Sequence, residues 1–120
     1  MPQDTSCEGL VKLYIAEQVD IAENFPIEPV ARFCDMVIEA YDNGRTIYVA
    51  ANGGPAGFCD NLNCDLFYHP FVSDDKSKPV PKDVKRMNVV DLVASSAKLT
   101  GAMNDIGPDF IFSAQLEGYI

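Results

Sequence analysis

Apolar side chains recur at helical spacing through the first 44 residues of the chain. Leu10, Val11, Tyr14, Ile15, Val19 and Ala22 lie on one face of a helix drawn over residues 5–23, with Asp4, Thr5 and Ser6 as candidate N-caps. Asn24-Phe25-Pro26 breaks that pattern. Val30, Phe33, Val37, Ala40 and Tyr41 then predict a second helix, closed by Asn43-Gly44, since glycine suits a left-handed C-terminal cap. At Thr46 the period changes. Thr46-Ile47-Tyr48-Val49-Ala50-Ala51 is a continuous β-branched and aromatic run, as expected of a parallel strand covered on both faces. It ends in Asn52-Gly53-Gly54-Pro55, where two glycines permit a sharp turn and Pro55 suits the first position of a helix.

From residue 69 to 86, Pro70, Pro79 and Pro81 are interleaved with Asp74, Asp75, Lys76 and Lys78, which predicts a flexible polar loop. Residues 87–92 predict a second buried strand. Ser95 or Ser96 then caps a short helix through Leu99 and Met103, and Gly107-Pro108-Asp109 opens a last helix over 110–117. The order helix, helix, strand, helix, strand, helix, helix predicts an α/β fold with a parallel sheet.

Composition narrows the function classes. The 120 residues are 48% apolar, enough for one domain and too apolar for general disorder. Eighteen acidic against nine basic side chains give a formal charge of −9, which repels nucleic acid and anionic membrane surfaces alike. Neither is an expected partner. An anionic small ligand remains compatible, provided local backbone donors hold it. No basic leader, signal-like apolar run or membrane span is read, so the expected compartment is the cytoplasm. Cys59 and Cys64, the closest pair of the four cysteines, have four residues between them rather than the two of a redox or zinc motif. Reduced structural thiols are expected for these and for Cys7 and Cys34, and with His69 the single histidine, no metal or other cofactor is expected.

The glycine turn is the first candidate for chemistry. A strand-to-helix turn points backbone N–H groups and the positive end of a helix dipole at one spot, a cradle for an anion. Asn-Gly-Gly in that place is also simply a tight turn. The second half of the pattern adds to it: Leu99-Thr100-Gly101-Ala102-Met103-Asn104-Asp105-Ile106-Gly107, followed by Phe110-Ile111-Phe112-Ser113-Ala114-Gln115-Leu116. Together the order of elements, the Asn52-Gly53-Gly54 turn, the Asn104-Asp105 pair and Gln115 resemble the phosphoheptose isomerase branch of the sugar isomerase (SIS) family. The resemblance covers nearly the whole chain. It corresponds to the first half of the family's domain, before the second phosphate-binding loop.

This resemblance implies a Rossmann-like, flavodoxin-type SIS domain. Residues 1–44 would be a helical pair for oligomerisation and residues 45–120 the first half of the α/β domain. It places Asn52, Gly53 and Gly54 on a first substrate-contacting loop and Asn104 and Asp105 on a second. Asp65, eleven residues beyond Gly54, falls on the catalytic glutamate. A carboxylate there suits aldose–ketose isomerisation, in which a base moves a proton between adjacent carbons through an enediol. Aspartate is one methylene shorter than the family's glutamate, and displacements of about an ångström are costly to catalysis.

Departures from the family pattern point the other way. Pro55 stands where the family has a serine, removing a hydroxyl and a backbone donor from the cradle. The family's metal-associated histidine falls on Asn61, a poor zinc ligand, and a basic position falls near His69, read as a surface histidine. Two parallel strands also leave an open edge, which predicts association with a second copy or a complementary SIS half. The expected function is therefore a SIS-type, sedoheptulose 7-phosphate isomerase-like subunit, split or degenerate, that binds a sugar phosphate once a partner completes its site. The alternative is a non-catalytic structural or regulatory subunit that has kept the SIS fold.

Overall fold

The computed structural model describes residues 5–120. Helix α1 spans Cys7–Glu23 and is capped by Ser6, whose hydroxyl accepts a hydrogen bond from the Gly9 N–H at 3.1 Å. Of the other cap candidates, Thr5 lies just outside the helix and Asp4 lies outside the described residues. Asn24 closes α1, its backbone N–H and its Nδ2 both donating to the Asp20 carbonyl at 3.0 Å. Helix α2 spans Ile27–Asp42. Its end is a Schellman motif: Gly44 adopts φ +65°, its N–H donates to Tyr41 O at 3.1 Å, and the Arg45 N–H donates to Ala40 O at 2.8 Å.

The chain divides into two compact units, residues 1–36 and 37–120, and the division falls within α2. In the first unit no described residue is buried. Leu10, Tyr14, Ile15 and Val19 of α1 and Ile27, Phe33 and Met36 of α2 are all exposed, so the helical periodicity is there without a core to receive it.

The second unit is built on strands β1 (Thr46–Val49) and β2 (Asn88–Asp91), paired in parallel with Thr46 opposite Asn88 and Val49 opposite Asp91. Helix α3 (Ala56–Tyr68) connects them and packs against β2. Helices α4 (Ser96–Asp105) and α5 (Ser113–Glu117) follow. The buried apolar side chains among the described residues are Val49, Cys59 and Leu92, which gather where α3 meets the carboxyl ends of the strands.

The structure corrects several sequence expectations. Both strands are shorter than predicted. Apart from Val49 their residues are half-buried or exposed, because a sheet of two strands with α3 against it does not enclose both faces. α3 starts at Ala56, with Pro55 as its cap residue rather than its first helical residue. Of the two cap candidates for α4, the structure uses Ser95, which accepts from the Lys98 N–H at 3.2 Å. The predicted last helix is broken in two: Gly107, at φ +106°, leads into a 3-10 turn at Pro108–Phe110, and α5 begins only at Ser113.

The segment 69–86 opens with a 3-10 turn at His69–Phe71, and both of its ends are tied to α2 or α3. The Phe71 ring lies 5.4 Å from that of Tyr41, and the Arg86 guanidinium sits over Phe71 and Phe67 at 5.5 and 6.0 Å. Tyr41 Oη donates to Lys85 O at 3.3 Å, and Lys85 Nζ donates to Asp42 O at 3.0 Å. Between these anchors, the Asp75 carboxylate accepts from the Ser77 N–H and hydroxyl at 3.0 and 2.7 Å. Those bonds hold the Asp75 carboxyl below its usual range.

Candidate functional site

β1 ends at Val49 because the chain must turn to enter α3, and Gly53 makes that turn at φ +62°, a conformation that disfavours side chains. A Cβ built at Gly53 or Gly54 meets no atom within 4 Å, so the approach to the turn is open. The N–H groups of Ala56, Gly57 and Phe58 bond back to the carbonyls of Gly53, Gly54 and Pro55 at 3.0, 3.2 and 3.0 Å. The N–H groups of Gly53 and Gly54 make no hydrogen bond among the described residues, and Pro55 has none to offer. Two unpaired donors thus precede the 13-residue helix α3, and Asn52, Gly53 and Gly54 are all exposed.

The remaining candidates lie elsewhere on the unit. Asp65 is the tenth residue of α3, about 14 Å along the helix axis from its start. It is exposed and faces His69, with Oδ1 3.7 Å from Nδ1. Asn104 and Asp105 close α4 and are exposed. A single chain thus presents the glycine turn and Asp65 at opposite ends of α3 rather than around one substrate.

Gln115 has a structural position. Its Nε2 donates to Leu92 O and Ile111 O, both at 3.0 Å, tying α5 to the chain just beyond β2. Near it are two shallow surface depressions. Ile106, Phe110, Ser113, Ala114 and Glu117 line one; Lys98, Gln115 and Tyr119 contribute to the other.

One constellation escaped the sequence reading. Asp91 ends β2, its Oδ1 accepts from the Val93 N–H at 2.7 Å, and its Oδ2 is buried without a hydrogen-bond partner. The Asp60 carboxyl, from α3, faces it. The side-chain interaction with Asp91 first, then the Asp91 charge and local desolvation, raise the Asp60 carboxyl, itself exposed, above the usual carboxylate range. Burial first, and then the charges of Asp91 and Asp60, push the neighbouring Cys59 thiol up as well. The signal available in the sequence was an acid closing the apolar run Val89-Val90-Asp91, although nothing local paired it with Asp60.

All four cysteines are free; Cys59 is buried, while Cys7, Cys34 and Cys64 are exposed and so do not serve as core packing in this chain. Among the described residues no cluster of three or more His, Cys, Asp or Glu side chains is placed to hold a metal ion. Asn61 is exposed. No helix among the described residues is long and apolar enough to cross a membrane.

Comparison with known proteins agrees with the architecture. No protein-family model matches the chain. A phosphoheptose isomerase from Akkermansia muciniphila is 32% identical over 114 residues, an alignment covering 88% of this chain and 53% of that protein. The structure of a phosphoheptose isomerase from Neisseria gonorrhoeae superposes with a TM-score of 0.73 at 21% identity, over 94% of this chain and 54% of that one. The chain spans about half the length of the relatives it matches.

Proposed function

We propose, taking as premise that this chain is phosphoheptose isomerase-like in sequence and SIS-type in fold, that it is a subunit of a sugar-phosphate isomerase whose site a further polypeptide completes. The observation that carries the reading is the exposed turn after β1, where the Gly53 and Gly54 N–H groups are unpaired just before α3 and Asn52 lies beside them. In the proposed mechanism the turn holds the polar end of a sugar phosphate by backbone donation and the helix dipole. Asp65 is the proposed base that moves the proton between adjacent carbons, and Asn104 and Asp105 are proposed to orient substrate hydroxyls. A sedoheptulose 7-phosphate-type heptose phosphate in the cytoplasm is the substrate and compartment this reading expects.

Three observations support the need for a partner. The sheet has two strands and open edges; α1 and the first part of α2 expose their apolar side chains; and Asp65 lies at the opposite end of α3 from the turn. A second copy or a complementary SIS half would cover the first two and bring a second set of groups to the turn.

A second reading has its own support. Pro55 deprives the cradle of a donor, and Asp65 is an exposed aspartate paired with His69, which favours a structural or regulatory subunit that has kept the fold without turnover. One experiment separates the two. The native chain is co-purified with its partners and assayed for isomerisation of sedoheptulose 7-phosphate, with Asp65→Asn as control. Turnover lost in the variant supports the isomerase; no turnover, or equal turnover in both, supports the structural subunit or removes Asp65 from the mechanism.

A further inference from the structure

We infer that the lysine-rich segment 76–86 of one copy docks on the acidic face of α1 in a second copy, with Lys78 and Lys82 against Glu17, Asp20 and Glu23. The inference shares with the reading above only the need for a partner.

Cations are unevenly placed along this chain. Five of the nine basic side chains, Lys76, Lys78, Lys82, Lys85 and Arg86, fall within residues 76–86, where the one acid is Asp83. The others have local partners: Lys12 pairs with Glu8, Arg32 with Glu28 and Arg45 with Glu39, while Lys98 donates to Tyr119 Oη at 3.1 Å. Inside the segment, Lys85 donates to Asp42 O and Arg86 covers Phe67 and Phe71. The ammonium groups of Lys76, Lys78 and Lys82 make no hydrogen bond or ion pair among the described residues, and all three residues are exposed.

Two prolines shape the segment in advance. Pro79 and Pro81 have fixed φ, and each disfavours the helical region for the residue before it. Residues 79–81 accordingly belong to no helix, strand or turn. In such an extended run Lys78 and Lys82 stand about 12 Å apart. Val80, 66% exposed, lies between them. A segment already restricted in this way loses less entropy on binding.

α1 offers the complement. Leu13, Ala16, Glu17, Asp20 and Glu23 are related by steps of three and four, so they share one face, and all are exposed. That face is opposite the one carrying Leu10, Val11, Tyr14 and Ile15. Glu17 and Glu23 are about 9 Å apart along the axis, within reach of two flexible lysines. Asp20 Oδ1 accepts from Asn24 Nδ2 at 3.0 Å, and no cation is ion-paired with Glu17, Asp20 or Glu23 among the described residues.

Asp20 and Glu23 also crowd the negative end of the helix dipole, and the last turn of α1 holds no basic residue. The last turn of α2 lacks one too. There Lys85 supplies the cation from 43 positions away, its Nζ donating to Asp42 O at 3.0 Å. Lysines of a second copy do the same for α1, while Leu13 and Ala16 give Val80 an apolar seat. With a formal charge of −9 over the whole chain, the segment is matched to an acidic protein face rather than to nucleic acid or an anionic membrane.

The test is sedimentation equilibrium of the full chain with two charge-reversed chains, one carrying Lys78→Glu and Lys82→Glu, the other Glu17→Lys and Glu23→Lys. The parent should self-associate, with Kd rising roughly tenfold between about 50 mM and about 500 mM salt as exposed charges are screened. Each reversed chain alone should associate roughly tenfold or more weakly. An equimolar mixture should regain the parent's affinity, because its mixed dimer holds one parental contact and one inverted one. A monomeric parent, an association indifferent to salt, or a mixture as weak as its components overturns the docking. Where a reversed chain fails to fold, Lys78→Gln with Lys82→Gln should flatten the salt dependence, and an unchanged dependence overturns the docking as well. Sedimentation reads association and not isomerisation, so an associated parent that ignores charge reversal sinks the docking and leaves the reading above standing.

Discussion

Asp65 and His69 face each other one helical turn apart at the end of α3, with Oδ1 3.7 Å from Nδ1 and both side chains more than half exposed. An exposed pair of this kind contributes about 0–0.5 kcal/mol even when the histidine is charged. Asp65→Asn should therefore leave the urea midpoint of the chain unchanged within error. If Asp65 is the base, the same variant in the completed assembly should lose roughly a hundredfold or more in kcat. Activity lost together with stability would instead mean that the substitution acts through folding.

Leu92 is 2% exposed and is the most buried of the three core side chains. Leu92→Ala should destabilise the unit 37–120 by about 2–5 kcal/mol, measured by urea unfolding. Truncating an exposed apolar residue such as Phe58, at 73% exposure, should cost far less.

The two turn glycines at positive φ should respond differently. Gly53, at +62°, has open space around it, so Gly53→Ala carries a backbone penalty of about 1–2 kcal/mol and Gly53→Asn a smaller one. Gly107, at φ +106° and ψ 158°, lies in a region essentially closed to other residues, so Gly107→Asn should bring no such relief over Gly107→Ala. Thermal unfolding of the four variants distinguishes the cases.

Gln115 donates to two carbonyls from one nitrogen, and Gln115→Met keeps the chain length while removing both bonds. A loss of about 1–3 kcal/mol is expected, since Leu92 O and Ile111 O lose a partly buried donor. Exchange protection should fall in α5 and change little in α3.

Asp75 is held below its usual range by Ser77. Its contribution is present above the unfolded value, near pH 3.9, and is lost as pH falls through the depressed folded one. Ser77→Ala removes the hydroxyl bond and keeps the N–H one, so it should reduce this acid sensitivity of the loop amides without abolishing it, as read by NMR chemical shifts between pH 5 and pH 2.

The sequence by itself determined the element order, the parallel sheet, the Gly44 cap and the glycine turn between β1 and α3, because each is written in side-chain period or in a residue with a special backbone range. Capping was legible to within a residue or two, because a cap is satisfied within three residues; the structure chose Ser6 among Asp4, Thr5 and Ser6, and Ser95 over Ser96. Of the candidate site, Asn52, Gly53 and Gly54 could be placed on one turn from local order alone. Where Asp65 lies relative to that turn needed the length of α3, and what Asp91 faces needed the packing of α3 on β2. Tertiary structure decided also that β1 and β2 are only half covered, that α1 keeps its apolar side chains exposed, and that Arg86 returns to Phe67 and Phe71. Burial and the charges a group meets depend on residues distant along the chain, and no local pattern of apolar and polar residues carries that distance.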